Sequence, residues 1–201
     1  MSWTVFVTAI ISAMLINNVI LMQFLGICPF IGVSKKTSSA IGMSAAVLFV
    51  MVIASAVTYT IYDLVLAPYN IDYIGTIAFI LVIASLVQLL EMIIKKYSKT
   101  LYKALGIYLP LITTNCAILG VAESNITNIW TDSLPYAQGL FLAVSTAVGT
   151  GLGFGLILFA FSSVRERLDS ANIPKAWKGV PISLVVAGIM SLAFAGLVGV
   201  I

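Results

Sequence analysis

Charged residues divide this chain into six long uncharged runs, and this pattern limits the possible fold more than any other feature. The runs cover residues 1–34, 37–62, 73–90, 104–122, 133–164 and 179–201. A helix needs ~20 predominantly apolar residues to span a bilayer. The pattern therefore predicts an all-α polytopic membrane protein with six transmembrane helices. The short connections leave no room for a soluble domain.

The composition supports this interpretation and excludes several classes of function. Of the 201 residues, 61% are hydrophobic and 8% are charged, whereas a soluble domain has about 25% charged residues. The net charge of +3 is too small to indicate binding of nucleic acid, so membrane lipid is the expected surrounding. No Lys or Arg precedes Lys35, so the first run lacks the basic region of a cleavable signal peptide and should stay in the mature protein.

The basic residues fall in only three of the connections between runs. Because cytoplasmic loops are enriched in Lys and Arg, these three connections are predicted to face the cytoplasm, with both termini outside. This topology fits a multi-pass protein of a bacterial or archaeal cytoplasmic membrane. The basic residues are Lys35, Lys36, Lys95, Lys96, Lys99, Lys103, Arg165, Arg167, Lys175 and Lys178.

The two cysteines mark an internal repeat. Aligning Cys28 with Cys116, 88 residues later, pairs "CPFIGV" with "CAILGV". The single membrane domain, 1–201, would then consist of two three-span repeats, residues 1–98 and 99–201. Because three is an odd number, the second repeat would enter the membrane upside down.

The residues around both cysteines predict helix breaks near the middle of spans 1 and 4. At 1.5 Å per residue, Cys116 lies ~20 Å beyond Lys103, within a hydrocarbon core ~30 Å thick. Non-helical backbone at that depth must be satisfied by protein or by a cavity, and such breaks often build binding sites. A free cysteine is often only a small buried apolar residue, but matching repeat positions favour a site. The flanking residues are Gly26 and Pro29 in span 1 and Pro110, Thr113, Thr114 and Asn115 in span 4.

Two thiols at such positions suit a restricted set of chemistries. The chain has no histidine, so a self-contained zinc site is not available. A disulfide is possible, although it does not need helix breaks. Soft thiolates suit iron–sulfur clusters, and a 2Fe–2S centre takes four cysteines. A cluster would therefore have to be shared with a partner chain that supplies the other ligands.

Four long strings in this sequence resemble the A subunits of Rnf electron-transport complexes. They are "NNVILMQFLGICPFIGVSKK" (17–36), "FILVIASLVQLLEMIIKK" (79–96), "LYKALGIYLPLITTNCAILGVA" (101–122) and "RERLDSANIPKAWKG" (165–179). The resemblance covers nearly the whole chain. The related E subunit of Na⁺-translocating NADH:quinone oxidoreductase more typically has "EN" at residues 17–18 and "CTF" at residues 28–30. This sequence has "NN" and "CPF", which favours Rnf.

The resemblance implies a six-span subunit that pairs with the homologous, oppositely oriented Rnf E subunit. It implies a 2Fe–2S cluster between them near mid-membrane, with Cys28 and Cys116 as this chain's two ligands and Gly26, Pro29 and Asn115 around it. The family couples oxidation of reduced ferredoxin and reduction of NAD⁺ to movement of Na⁺ or H⁺, so this chain would be one part of a translocase and not catalytic alone. No flavin or nicotinamide is expected here, since other Rnf subunits (B, C, D, G) carry the remaining functions. The alternatives are a non-redox secondary transporter or channel, which would leave the thiols idle, and a scaffold subunit.

Polar residues inside the predicted spans are candidates for an ion path. The alternative is that they satisfy backbone groups freed by the helix breaks, or, for Glu91, that an i,i+4 pair forms with Lys95. The glycine-rich string "VGTGLGFG" (148–155) resembles a phosphate loop, but it has no adjacent lysine and predicts close helix packing instead. The ion-path candidates are Asn17, Asn18, Thr113, Thr114, Gln88 and Glu91.

Overall fold

The computed structural model describes residues 3–34, 36–69, 74–97, 109–129, 135–170, 174 and 177–198. Within these ranges the secondary structure is helical and contains no strand. Eight helices are labelled in chain order here. They are α1 (Trp3–Ile11), α2 (Ile27–Val33), α3 (Thr37–Ile61), α4 (Gly75–Tyr97), α5 (Leu109–Thr113), α6 (Cys116–Ile129), α7 (Tyr136–Asp169) and α8 (Val180–Val198).

Three helical stretches are long and apolar enough to cross a membrane. They are Thr37–Leu66, Gly75–Ile93 and Tyr136–Leu168, and shorter apolar helices cover Phe6–Ile16 and Val180–Gly196. The long stretches coincide with the predicted second, third and fifth spans. The all-helical, apolar character is thus confirmed, while the count of six spans and the inverted repeat, with its boundary at residues 98 and 99, stay predictions. Residues 104–108 of the predicted fourth span lie outside the described ranges.

The first predicted span is broken, as expected from its sequence. Helix α1 continues into a π-helical turn, Ser12–Ile16, and helical structure then stops until α2 begins at Ile27. The intervening residues 17–26 are called the crossing segment here. Part of its backbone is satisfied from within the protein, because the Asn18 Oδ1 accepts a hydrogen bond from the Ile20 N–H (3.1 Å) and the Ser191 hydroxyl donates to the Leu21 carbonyl (2.6 Å). This is the arrangement required of non-helical backbone inside a membrane protein.

A second, shorter break separates α5 from α6. Asn115 is the N-cap of α6, since its Oδ1 accepts a hydrogen bond from the Ala117 N–H (3.0 Å) and its backbone carbonyl accepts one from the Ile118 N–H (3.2 Å). Asparagine is among the residues preferred at this position because its side chain satisfies a free N–H of the first turn. The sequence prediction of a break directly before Cys116 is therefore confirmed.

Helix α7 lies at the centre of the packing and runs along α3. Its glycines at alternate positions face two different neighbours, because residues two apart lie on nearly opposite sides of a helix. A Cβ added to Gly149 would lie 2.6 Å from the Ile10 carbonyl oxygen of α1, and one added to Gly153 would lie 2.7 Å from the Met14 carbonyl oxygen. The intervening Gly151 faces Leu48 of α3. The glycine-rich string therefore serves close helix packing, as predicted.

Candidate metal centre

The two cysteine-bearing segments contact each other across 90 residues of sequence. The backbone N–H of Gly26, in the crossing segment, donates a hydrogen bond to the Sγ of Cys116 at 2.9 Å. A Cβ added to Gly26 would lie 3.2 Å from the Cβ of Ala117, and Leu25 lies directly against Gly120. The crossing segment thus lies against the break between α5 and α6. Cys116 contacts this junction directly, and Cys28 follows Gly26 by two residues.

The conformation at Gly26 depends on the absence of a side chain. Its φ of 78° is in the left-handed region, which glycine enters readily and other L-residues do not. The residue after this turn, Ile27, begins α2, and Cys28 is the second residue of that helix. Pro29 follows in the first turn, where a missing N–H removes no intrahelical bond. Gly26 and Pro29 therefore fix where Cys28 is presented.

Helix α2 is only seven residues long, and contacts with α7 hold it in place. The ring of Phe30 stacks on that of Phe161, with centroids 4.1 Å apart and an interplanar angle of 27°. One turn further along α7, the buried Arg165 donates from Nη1 to the Ile31 carbonyl and to the Ser34 hydroxyl, both at 2.7 Å. These contacts satisfy the end of α2 and fix the helix that carries Cys28.

Cys116 is the first residue of the 14-residue α6. The first turn of a helix has free N–H groups and the positive end of the helix dipole, which favour a negatively charged group. Further along α6, the buried Asn125 donates from Nδ2 to the Ser55 hydroxyl (2.6 Å), and its Oδ1 accepts from the Thr146 hydroxyl (2.7 Å). These bonds tie α6 to α3 and α7.

Sequence reasoning missed the roles of Arg165 and Asn125. In the sequence, Arg165 indicates only the topology. Its contact with α2 depends on the tertiary fold, which the spacing of residues along the chain does not predict. For Asn125 a usable signal exists, since polar residues within apolar helices often form hydrogen bonds between helices.

The donor set of this junction fits half of an iron–sulfur site. Both thiols are free and exposed at the surface of the chain, so ligands from another chain can reach the same metal. Within the described part of the chain no group of three or more His, Cys, Asp and Glu side chains comes together. The buried Asn115 (4% exposed) also has an Nδ2 atom without a hydrogen-bond partner beside Cys116. Free, exposed thiols are the ligands expected of a sulfur-rich cofactor.

The ion-path candidates separate into different surroundings. Asn17 lines a cavity of about 190 Å³ between α1, the crossing segment, α6 and α7. Asn18 instead serves the backbone, because its Nδ2 donates to the Met14 carbonyl (3.0 Å) and its Oδ1 accepts from Ile20. Among the described residues, four of the other candidates do not line this cavity: Thr113 and Thr114 at the end of α5, and Gln88 and Glu91 on α4. The described lining also holds no charged side chain. Its polar members are Ser12, Asn17, Gln23, Ser124, Asn125, Asn128, Thr146 and Thr150.

Comparison with known proteins gives matches over nearly the whole chain. The protein family described as "Rnf-Nqr subunit, membrane protein" matches residues 6–201. The chain is 53% identical to the A subunit of the Na⁺-translocating ferredoxin:NAD⁺ oxidoreductase complex of Acetobacterium woodii over 189 residues, which is 94% of each chain. It is 51% identical to the A subunit of the ion-translocating oxidoreductase complex of Syntrophotalea carbinolica, covering 96% of this chain and 95% of that one. The corresponding A subunit of Pasteurella multocida is 50% identical over 198 residues, 98% of this chain and 99% of that one.

Proposed function

This chain belongs to the Rnf–Nqr family of membrane proteins, and we propose that it acts as the A subunit of an ion-translocating oxidoreductase, carrying electrons across the membrane. The proposed reaction is ferredoxin:NAD⁺ oxidoreduction coupled to movement of Na⁺ or H⁺. The observation that carries the electron-transfer role is the hydrogen bond from the Gly26 N–H to the Cys116 Sγ (2.9 Å). It joins the segment that precedes Cys28 to Cys116, and both thiols are exposed on the chain.

Cys28 and Cys116 are the proposed ligands of a 2Fe–2S cluster, and the homologous E subunit of the same complex is the proposed source of the other two cysteines. Such a cluster supplies a one-electron carrier inside the membrane. The residues of this chain hold and orient it. The contacts of Arg165 and Phe30 fix the helix with Cys28, and Asn115 fixes the start of the helix with Cys116. Flavin and nicotinamide sites are assigned to other subunits of the complex.

A carrier at this depth is useful because electron transfer weakens steeply with distance. A stop near the middle of the membrane divides one crossing of a ~30 Å hydrocarbon core into two shorter transfers. The junction between the two helix breaks is suited to this task, since it exposes both thiols while part of its backbone is satisfied by the protein itself.

The first experiment tests for the cluster. The complex containing this chain would be purified with its partner subunits, reduced, and examined by electron paramagnetic resonance together with iron analysis. We expect a 2Fe–2S signal that is lost in Cys28→Ser and in Cys116→Ser while the complex still assembles. A suitable control is Ser163→Ala, which removes an exposed hydroxyl of α7 and should leave the signal unchanged. An assembled native complex without this signal, or serine variants with full electron transfer, would refute the proposal.

Ion coupling is the second part of the proposal, and the cavity beside Asn17 supports it. The lining consists of neutral polar groups and apolar side chains at the point where α1 ends in a π-helical turn, and unwound helices provide carbonyl oxygens for cations in other transport proteins. In proteoliposomes, Asn17→Ala should lower the number of ions moved per electron. A variant that slows both processes equally would argue against a path here. Substrate uptake without an electron donor would favour a secondary transporter.

The proposed orientation has its own test. Reporter fusions after Lys36 and after Lys99 should indicate the cytoplasm, and a fusion after Asn128 should indicate the outside. The reverse pattern would overturn the placement of both termini outside the cell.

A further inference from the structure

Helix α7 carries a phenylalanine, Phe154, whose ring lies against the backbone of the crossing segment at Gly26. The side chain of Phe154 is fully buried (0% exposed). A Cβ added to Gly26 would lie 3.0 Å from the Cε2 atom of this ring, which is the closest of its three nearest contacts. The other two contacts, Ala117 and Asn115, flank Cys116 in sequence. The notch that receives Gly26 is therefore formed by the Cys116 segment and by one ring of α7.

A second phenylalanine of α7 supports the same stretch of chain. Phe161 follows Phe154 by seven residues, which is about two helical turns, so both rings lie on the same face of α7. The ring of Phe161 stacks on that of Phe30 in α2, with centroids 4.1 Å apart. The two rings thus contact the chain at Gly26 and at Phe30, and Cys28 lies midway between these two residues.

The contact at Gly26 bears on the candidate metal centre, because the Gly26 N–H donates to the Sγ of Cys116 at 2.9 Å. Gly26 has no side chain to hold it in place, so its position depends on the groups that pack against its backbone. The ring of Phe154 is the one group of the notch that does not belong to the Cys116 segment. It therefore fixes the crossing segment relative to that sulfur.

We propose that Phe154 is a positioning residue of the metal centre, which holds Gly26 where its N–H reaches the sulfur of Cys116 and so raises the reduction potential of the cluster. This inference rests on the proposed function. Hydrogen bonds to the sulfurs of iron–sulfur clusters are among the factors that set their potentials. Because reduction adds one negative charge to the cluster, an N–H donor stabilises the reduced form more than the oxidised form.

The variant that tests this role is Phe154→Leu, which keeps an apolar side chain but removes the ring from the notch. In the purified complex we expect the 2Fe–2S signal to remain, with its midpoint potential in a redox titration shifted downward. The matched control is Phe159→Leu, the same substitution on α7 at a side chain that is 48% exposed, and its midpoint should not change. An unchanged midpoint in Phe154→Leu, or an equal shift in both variants, would overturn the inference.

Hydrogen–deuterium exchange at the Gly26 N–H provides a measurement that does not depend on iron. In the native complex this N–H should exchange slowly, and rapid exchange there would overturn the inference without any variant. In Phe154→Leu, the loss of one hydrogen bond of ordinary net strength predicts about fivefold faster exchange, and an unchanged rate would contradict the role of Phe154.

Two other outcomes are also decided by these measurements. If the leucine variant does not assemble, Phe154→Met replaces the ring with a more adaptable apolar side chain, and the same results are expected of it. Absence of any 2Fe–2S signal in the native complex would refute the proposed function. The exchange rates at Gly26 would then still show whether Phe154 positions this residue, so the two failures are distinguishable.

Discussion

The most informative perturbation of the junction is Gly26→Ala, which adds one methyl group where the two helix breaks meet. Gly26 has a φ of 78°, and its added Cβ would lie 3.0 Å from the ring of Phe154, 3.2 Å from the Cβ of Ala117 and 3.3 Å from the Oδ1 of Asn115. All three distances are shorter than the usual van der Waals separation of carbon atoms, about 3.5–4.0 Å. The neighbours must therefore shift, and the Asn115 oxygen cannot do so without straining its bond to Ala117.

The expected cost has two parts. An L-residue in the left-handed conformation costs roughly 1–2 kcal/mol, and overpacking a buried contact costs about 1–3 kcal/mol. Together they predict that Gly26→Ala lowers the free energy of unfolding by about 2–5 kcal/mol. The control is Gly42→Ala in α3, where an added Cβ meets nothing within 4 Å. That variant should be about 0.5–1 kcal/mol more stable than the native chain, because glycine within a helix is less favourable than alanine.

The assay compares the two variants in the purified complex. Unfolding midpoints of this chain are measured in mixed micelles of increasing denaturing detergent, together with the iron content of each preparation. Gly26→Ala should unfold at a lower detergent fraction than Gly42→Ala and should lose iron first, since displacement of its N–H removes the hydrogen bond to Cys116. Equal midpoints for the two variants would refute the reasoning, because they would show that the junction tolerates a side chain at its closest point.

Three further perturbations test the supports of the site. Arg165→Gln removes the charged donor that holds the end of α2 through Ser34. We therefore expect a loss of about 1.5–3 kcal/mol in the free energy of unfolding and a weaker cluster signal. A variant with native stability would contradict the role of Arg165 in holding α2. Gly153→Ala should destabilise the protein by about 1–3 kcal/mol, because the added Cβ would meet the Met14 backbone of the π-helical turn. Gly188→Ala is the control, since its added Cβ meets nothing within 4 Å and should not destabilise the protein. Detergent unfolding compares the two variants, and equal stability would argue against the close approach at Gly153. Asn125→Val should lower stability by about 1–3 kcal/mol, since it removes the two hydrogen bonds that join α6 to Ser55 of α3 and to Thr146 of α7. The same assay applies, and an unaltered midpoint would show that the network contributes little.

The sequence predicted the class of the fold and the places where its helices break. Long uncharged runs require helices in a bilayer, because each backbone polar group must be satisfied within the segment. Gly26 before Cys28, and a run of threonines and asparagine before Cys116, indicated the breaks correctly, whereas Pro29 lies within the first turn of α2 and not in a break. The extent of the first break was not predictable, since "NNVILMQFLG" at residues 17–26 is apolar enough to continue a helix. Its conformation depends on partners far away in sequence, such as Ser191 on α8.

The sequence predicted the candidate ligands of the site, but not the contacts that hold the segments carrying them. The thiols of Cys28 and Cys116 are rare groups in an apolar chain, so pattern alone singled them out. The function of Asn115 could be stated only in part, because a sequence shows that its amide can satisfy backbone but not that one end of the amide stays unused. The charge of Arg165 predicts a position at the cytoplasmic edge, whereas its hydrogen bonds to Ile31 and Ser34 become visible only once α2 and α7 are brought together.

The alternating glycines of α7 have a consequence for motion. Gly149 and Gly153 leave room for the backbone of α1 and its π-helical turn at Ile10 and Met14, while Gly151 leaves room for Leu48 of α3. If α1 slid along α7 by two residues, its carbonyls would meet Thr150 and other side chains where only hydrogen atoms now stand. The close approaches at these glycines therefore favour a single register of α1, α3 and α7, so these three helices are expected to move together. Any rearrangement during turnover is then expected in elements outside this block that α7 does not hold.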